Sequence, residues 1–227
     1  MDAIDVARAA LRRAETRVGV RESAPPVDVV DEQPGPISEL LPGGTLPAGA
    51  ASVITGSTSL LLTALATSQR SDQWVGVVGM PDLGYLAAAS AGIALERVAV
   101  VPDVDGQGAL VVAALLDGVS YVVVGPRVKL TVAERRQLLA RARERGSALV
   151  STTAWEGAAL GLEVTAHRWS GPELGRSLRQ HEVDVERTAA GVPARFTVVL
   201  PTPDSPLVPA IIGEVRRAQG SGLRLVG

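Results

Sequence analysis

The chain has 227 residues, 46% of them hydrophobic and 20% charged, with a formal net charge of −2, which is enough apolar material for one good-sized core without covalent staples. It holds no cysteine and two histidines, His167 and His181, which excludes disulfides and thiolate metal sites and argues against a histidine metal centre. No broad basic field marks a nucleic-acid binder, no run approaches the ~18 apolar residues of a membrane span, and the start lacks an export signal; the chain reads as soluble, unexported and without a membrane partner.

Residues 1–20 carry an amphipathic helix over 2–18, with Ile4, Ala7, Leu11, Ala14 and Val18 on one stripe and Arg8, Arg12, Arg13, Glu15 and Arg17 elsewhere on the wheel. The stripe is as narrow as a coiled-coil seam. It packs either on its own domain or on a partner or neighbouring subunit, so Ile4, Leu11 and Val18 are candidate partner-binding residues and self-association stays open. Residues 21–36 have linker composition.

From residue 37, apolar anchors alternate with turn residues and lead into a strand over 51–55. Gly56, Ser57, Thr58 and Ser59 follow, and then a helix ending near Arg70. A strand, a glycine and a helix mark the place of a phosphate loop in a nucleotide-binding α/β protein. Such a loop needs a second glycine, a lysine that reaches the phosphates and a hydroxyl on Mg²⁺. Before this helix there is neither, and the only lysine of the chain is Lys129.

The pattern then alternates: strands over 74–78, 98–101, 121–124 and 148–151, helices over 83–92, 107–117 and 132–145. Strands this apolar, separated by helices, imply a mostly parallel sheet covered on both faces, a doubly wound α/β core. Residues 162–169, 181–187 and 195–200 read as antiparallel strands at its C-terminal edge. The core is expected over 37–200. A proline-rich connection, a final helix over 207–217 and a loose tail fill 201–227.

Other candidates for chemistry have structural explanations. Asp82 suits a helix N-cap or first-turn acid. Asp103 and Asp105 flank a turn closing at Gly106. Arg127 and Lys129, in a short connection after residue 124, could meet DNA phosphates, although a solvated loop pair is the simpler reading.

Leu41-Pro42-Gly43-Gly44-Thr45-Leu46-Pro47-Ala48-Gly49, followed by Val53-Ile54-Thr55-Gly56, resembles the lead-in of RecA-type recombinases. Gly92-Ile93-Ala94-Leu95-Glu96-Arg97-Val98 is similar to their segment before the third strand, and 183–200 to their closing antiparallel pair. The resemblance implies a RecA-like doubly wound fold, preceded by the N-terminal helix. The same alignment of motifs puts Gly56, Ser57, Thr58 and Ser59 at a degenerate phosphate-loop position and Gly125 where that family has its Walker B aspartate. Gly79-Met80-Pro81-Asp82 replaces the turn that carries its catalytic glutamate. Asp184 and Glu186 stand where recombinases place basic residues, with Arg187 alone remaining. A pseudo-ATPase follows, with no catalytic residue, cofactor or metal.

With His167-Arg168-Trp169-Ser170-Gly171-Pro172-Glu173-Leu174-Gly175-Arg176, the chain most resembles the actinobacterial branch of the ImuA family. That resemblance implies an accessory factor of the SOS response, acting in translesion synthesis and damage-induced mutagenesis. Its partners would be an ImuB-type inactive Y-family polymerase homologue and an error-prone C-family polymerase. The implied location is cytoplasmic, nucleoid-associated on damage, with at most weak DNA contact through Arg127 and Lys129. Arg216 and Arg217 are candidates for pairing with an acidic partner surface. The alternatives are a regulator of recombinase filaments or of cell division, and a RecA-type nucleotide-binding protein.

Overall fold

The computed structural model describes residues 37–170, 180–202 and 210–215, all within the unit Pro34–Gly227. The helix expected over 2–18, with Ile4, Leu11 and Val18, lies outside the described residues, as do Arg216 and Arg217.

Two 3-10 turns, Ser38–Leu40 and Pro42–Gly44, enter the fold. Ile37, Leu40, Leu41 and Leu46 anchor them in the core. Strand β1 (Ala51–Thr55) leads into helix α1 (Thr58–Ser68), then β2 (Val75–Val78), α2 (Tyr85–Ser90), β3 (Val98–Val101), α3 (Gly108–Leu116), β4 (Tyr121–Val124), α4 (Val132–Arg145) and β5 (Ala148–Ser151). Four strands then follow without an intervening described helix: β6 (Leu160–Ser170), β7 (Gln180–Ala189), β8 (Val192–Leu200) and β9 (Ala210–Val215).

All nine form one sheet in the order β3-β2-β4-β5-β1-β6-β7-β8-β9. Pairing is parallel from β3 through β6 and antiparallel from β6 to β9. The fold is therefore α/β with a mixed sheet. Its central strands β2, β4 and β5 are buried throughout, as parallel strands covered on both faces must be. One apolar cluster joins Leu60, Leu61 and Leu65 of α1 and Ala88 of α2 to Val75, Val77, Tyr121 and Val150. The other joins Val112 and Leu116 of α3 and Leu138 and Ala142 of α4 to Val78, Val122, Val124 and Leu149. Helices thus cover both faces. No described helix is long and apolar enough to cross a membrane.

Two expectations need correction. The final helix expected over 207–217 is instead strand β9, Ala-Ile-Ile-Gly-Glu-Val, paired antiparallel with β8. Its adjacent β-branched isoleucines favour a strand, Gly213 disfavours a helix, and β8 would otherwise be the sheet's edge; the sheet therefore runs on past residue 200. The strand expected over 162–169 is not purely antiparallel, because β6 pairs parallel with β1 on its other side.

Helix α4 shows how locally the boundaries are set. Thr131 Oγ1 accepts the Glu134 N–H, while Glu134 Oε2 accepts the Thr131 N–H at 2.7 Å. That reciprocal cap holds the Glu134 carboxyl below its usual range. Gly146 closes the helix at φ 68°, in the left-handed region. Replacing Thr131 with Ala is expected to cost about 1 kcal/mol, read as a lower urea midpoint with unchanged m-value.

Candidate functional site

Open α/β sheets bind ligands beyond the carboxyl ends of their parallel strands. Three of those ends, at β1, β2 and β4, close on the protein's own atoms.

At β1, only Gly56 and Ser57 separate the strand from α1. Gly56 has φ +83°, and a Cβ there would lie 2.7 Å from the Val164 carbonyl oxygen on β6. Ser57 is the N-cap, its Oγ accepting the Leu60 N–H at 3.2 Å. The backbone has no span in which to wrap a phosphate, and the cap occupies one of the first-turn donors a phosphate would use.

Behind Gly56 stands an aromatic stack. His167 Nε2 lies 3.1 Å from the Gly56 carbonyl oxygen, and His167 Nδ1 lies 3.0 Å from His181 Nε2. A carbonyl can only accept, so Nε2 of His167 carries the proton. In the neutral imidazole Nδ1 then accepts from His181 Nε2–H. This leaves His181 Nδ1 bare, and that atom is buried without a partner among the described residues. Trp169 stacks on His181 with ring centroids 3.9 Å apart. Burial first, and the neighbouring His167 second, pull the His181 pKa below its ordinary value.

A β-bulge between Val164 and Ala166 builds this stack. Before it, Leu160, Leu162 and Val164 face the core. The extra residue shifts the alternation by one, so that His167 and Trp169 join the same side of the sheet. Trp169 thereby sits directly across from His181. Beside it, Ser59, Ala87, Ser90, Ala91 and Trp169 line a cavity of about 50 Å³, room for a few waters.

At β2 and β4 the seal is tighter. Gly125 donates its N–H to the Val78 carbonyl at 2.7 Å. A Cβ on Gly125 would fall 2.2 Å from Met80 Cγ and 2.4 Å from the Gly79 carbonyl oxygen. Gly79 has φ +69°, and its missing Cβ would meet Val128 Cγ2 at 2.6 Å, as that of Gly108 would meet Val128 Cγ1 at 2.6 Å. Val128, buried, is thus wedged among the turns after β2 and β4 and the start of α3. The position that resembles a Walker B aspartate has no room for any side chain.

Arg127 and Lys129 flank that wedge, both exposed. Lys129 Nζ donates to the Pro126 carbonyl at 3.5 Å, and neither forms an ion pair among the described residues. The structure thus brings these two together, but not with Ser57, Thr58 or Ser59, which belong to the cap and first turn of α1. Asp82 is not the N-cap expected for α2: Gly84 holds that position, because the Leu83 N–H first closes a turn onto the Met80 carbonyl. Asp103 does fit its turn, accepting the Val104 N–H at 2.8 Å.

The charged residues of β7 are engaged within the sheet. Asp184 takes a two-pronged contact from Arg168, at 2.8 and 2.7 Å, and a bond from Thr197. The Arg168 hydrogen bonds pull the Asp184 carboxyl down to about 2. Glu186 pairs with Arg195. Arg187 donates to the Glu39 carbonyl at 2.9 Å and lies over Phe196.

Two outcomes are expected. Gly125→Ala should lower the unfolding free energy by about 2–3 kcal/mol through overpacking, measured by urea denaturation. The depressed His181 pKa means the unfolded chain binds protons first as pH falls below the ordinary value of 6.5; stability is full above that value and declines below it. His181→Phe should flatten this decline between neutral and mildly acidic pH, and an unchanged slope would assign it to another group.

A family model described as the MT3502 N-terminal domain matches residues 39–157, from the first 3-10 turn to just before β6. The uncharacterized protein Rv3395c of Mycobacterium tuberculosis (strain ATCC 25618 / H37Rv) is 37% identical over 150 residues, covering 64% of this chain and 72% of that protein.

Proposed function

The chain belongs to the MT3502 N-terminal domain family, and on that premise we propose that it is a non-catalytic RecA-like scaffold of damage-induced mutagenesis. It joins an ImuB-type inactive Y-family polymerase homologue and, with it, an error-prone C-family polymerase during translesion synthesis. The sheet order β3-β2-β4-β5-β1-β6-β7-β8, parallel as far as β6 and antiparallel beyond, supports the RecA-like, doubly wound part of this reading.

The observation that carries the pseudo-ATPase part is the closure of the strand ends. Three elements of a phosphate-transfer site would have to sit at Gly56–Ser59, at Gly79–Asp82 and at Gly125. The first is a two-residue corner with a serine cap, and in the other two Gly79 and Gly125 lie so close to Val128, Met80 and each other that a Cβ is excluded. Positioning and electrostatics supply nearly all of phosphoryl-transfer catalysis, and this corner offers no cradle, while Asp82 stands exposed on the turn after β2. What remains to act is the surface: the stripe of Ile4, Leu11 and Val18, the pair Arg216 and Arg217 for the polymerase-like partner, and Arg127 with Lys129 for a weak DNA contact.

Titration with labelled ATP and Mg²⁺ is expected to show no saturable binding, and micromolar, Mg²⁺-dependent affinity would end the scaffold reading. The partner half is tested by co-purification with an ImuB-type protein, using Arg216→Glu with Arg217→Glu so that β9 stays intact. The expected result is about tenfold weaker capture. Unchanged capture removes these arginines from the interface, while altered recombinase-filament assembly on adding the chain would move the reading to a filament regulator.

A further inference from the structure

Strand β3 ends the sheet, and no strand of the described residues pairs with its outer side. Val98, Ala99, Val100 and Val101 are each only half-buried, whereas β2 and β4, of like composition, are buried throughout. Natural edges are usually blunted by lysine, proline, a bulge or an inward charge. Within β3 there is none, and its pairing with β2 runs without a register shift.

The side chains say what kind of strand would fit. Val98 and Val100 pack with the cluster on the α2 side of the sheet, and Val101 with that on the α3 side. An added strand must therefore be apolar on both faces and come from a sheet covered on both faces. β3 of a second copy meets both requirements.

The backbone fixes the register. Gly79 donates its N–H to the Val101 carbonyl at 2.8 Å, so Val101 and, by alternation, Ala99 direct their peptide groups to β2. Val98 and Val100 direct theirs outward. Pro102 follows, with no N–H to extend the ladder. An antiparallel pair about a two-fold axis then sets Val98 opposite Val100 of the other copy, twice, using every outward donor and acceptor of the strand. Ala99 falls opposite its own mate at the axis, a non-hydrogen-bonded position where the strands approach most closely and a small side chain is needed.

The charges agree with that register. Arg97, the last residue of a 3-10 turn (Leu95–Arg97), immediately precedes β3 and Asp103 follows it after Pro102, and neither makes an ion pair among the described residues. Arg97 stacks over Trp74 at 5.7 Å, and Asp103 uses Oδ1 on its own turn. In the paired strands Arg97 and Asp103 of the other copy flank the same end of the ladder, within reach of a long side chain. The two-fold axis makes this contact twice. It also keeps α2 with α2 on one face and α3 with α3 on the other, where Tyr85 is 56% and Leu110 66% exposed.

We propose that β3 is a self-association edge, at which two copies of this chain pair antiparallel through Val98–Val101 and lock by reciprocal Arg97–Asp103 contacts. The surface stands independently of the scaffold reading. Sedimentation of the full chain over a wide concentration range tests it, with Arg97→Asp, Asp103→Arg and the double swap, each checked for folding by circular dichroism. A monomer–dimer equilibrium is expected, weakened about tenfold by either single swap and recovered in the double variant. Amide exchange at 98–101 should slow as concentration rises.

A monomer at all concentrations overturns the proposal, as does a dimer indifferent to both single swaps. Exchange protection in a monomer, independent of concentration, would give the edge to another part of the same chain. Protection that appears only on adding a polymerase-like protein would give it to that partner, and either result also overturns the proposal.

Discussion

The approach of the Gly125 backbone to the Gly79 carbonyl and Met80 is the contact on which the rest of the upper sheet depends. It draws the turns after β2 and β4 together, gives Val128 a socket against Gly79 and Gly108, and so fixes where α3 begins and where the connection to α4 departs. Each of the three glycines is required for closeness, and only Gly79 also for its positive φ. Arg127 and Lys129 are held outward because the residue between them is buried inward. A wedge of one valine thereby decides both what the strand ends cannot hold and what the adjoining surface displays.

The second closure works through polar groups. Between the β1–α1 corner and β7, the link is a chain of two hydrogen bonds through His167 of β6, ending on a bare imidazole nitrogen. An unpaired buried acceptor is costly. Here the Trp169 ring covers His181, so that the price is partly offset by stacking. The arrangement ties the packing of the antiparallel half to the corner where the parallel half begins.

The parallel half was legible because its signals are local. Runs such as Val-Val-Val-Gly after Tyr121 can only be buried strands, and Thr131 with Glu134 and Gly146 announces both ends of α4. Gly56, Gly79 and Gly125 were visible as absences of loop, glutamate and aspartate, but not as contacts, since close approach is a tertiary fact. The histidine stack escaped for a definite reason: the bulge near Thr165 breaks the two-residue period, so Val164 and His167 share a face that simple alternation denies them. β9 escaped because six residues between proline-rich and arginine-rich stretches carry no period of their own. Only the open side of β8 makes them a strand.

The packing at the strand ends also separates two histories for a site with missing chemistry. Deleting a carboxylate from a working site leaves a void, because surroundings relax only partly around a truncated side chain. Around Gly125 there is no void: a single added carbon would meet Met80 and the Gly79 carbonyl at 2.2 and 2.4 Å. Around Gly56 the neighbouring strand is also close, with the Val164 carbonyl oxygen at 2.7 Å from such a carbon. Backbone turns, a methionine, a valine and an aromatic stack fill the space at these strand ends. Adding one side chain at Gly125 would therefore require the Gly79 turn and Met80 to move first, so the closed ends behave as core.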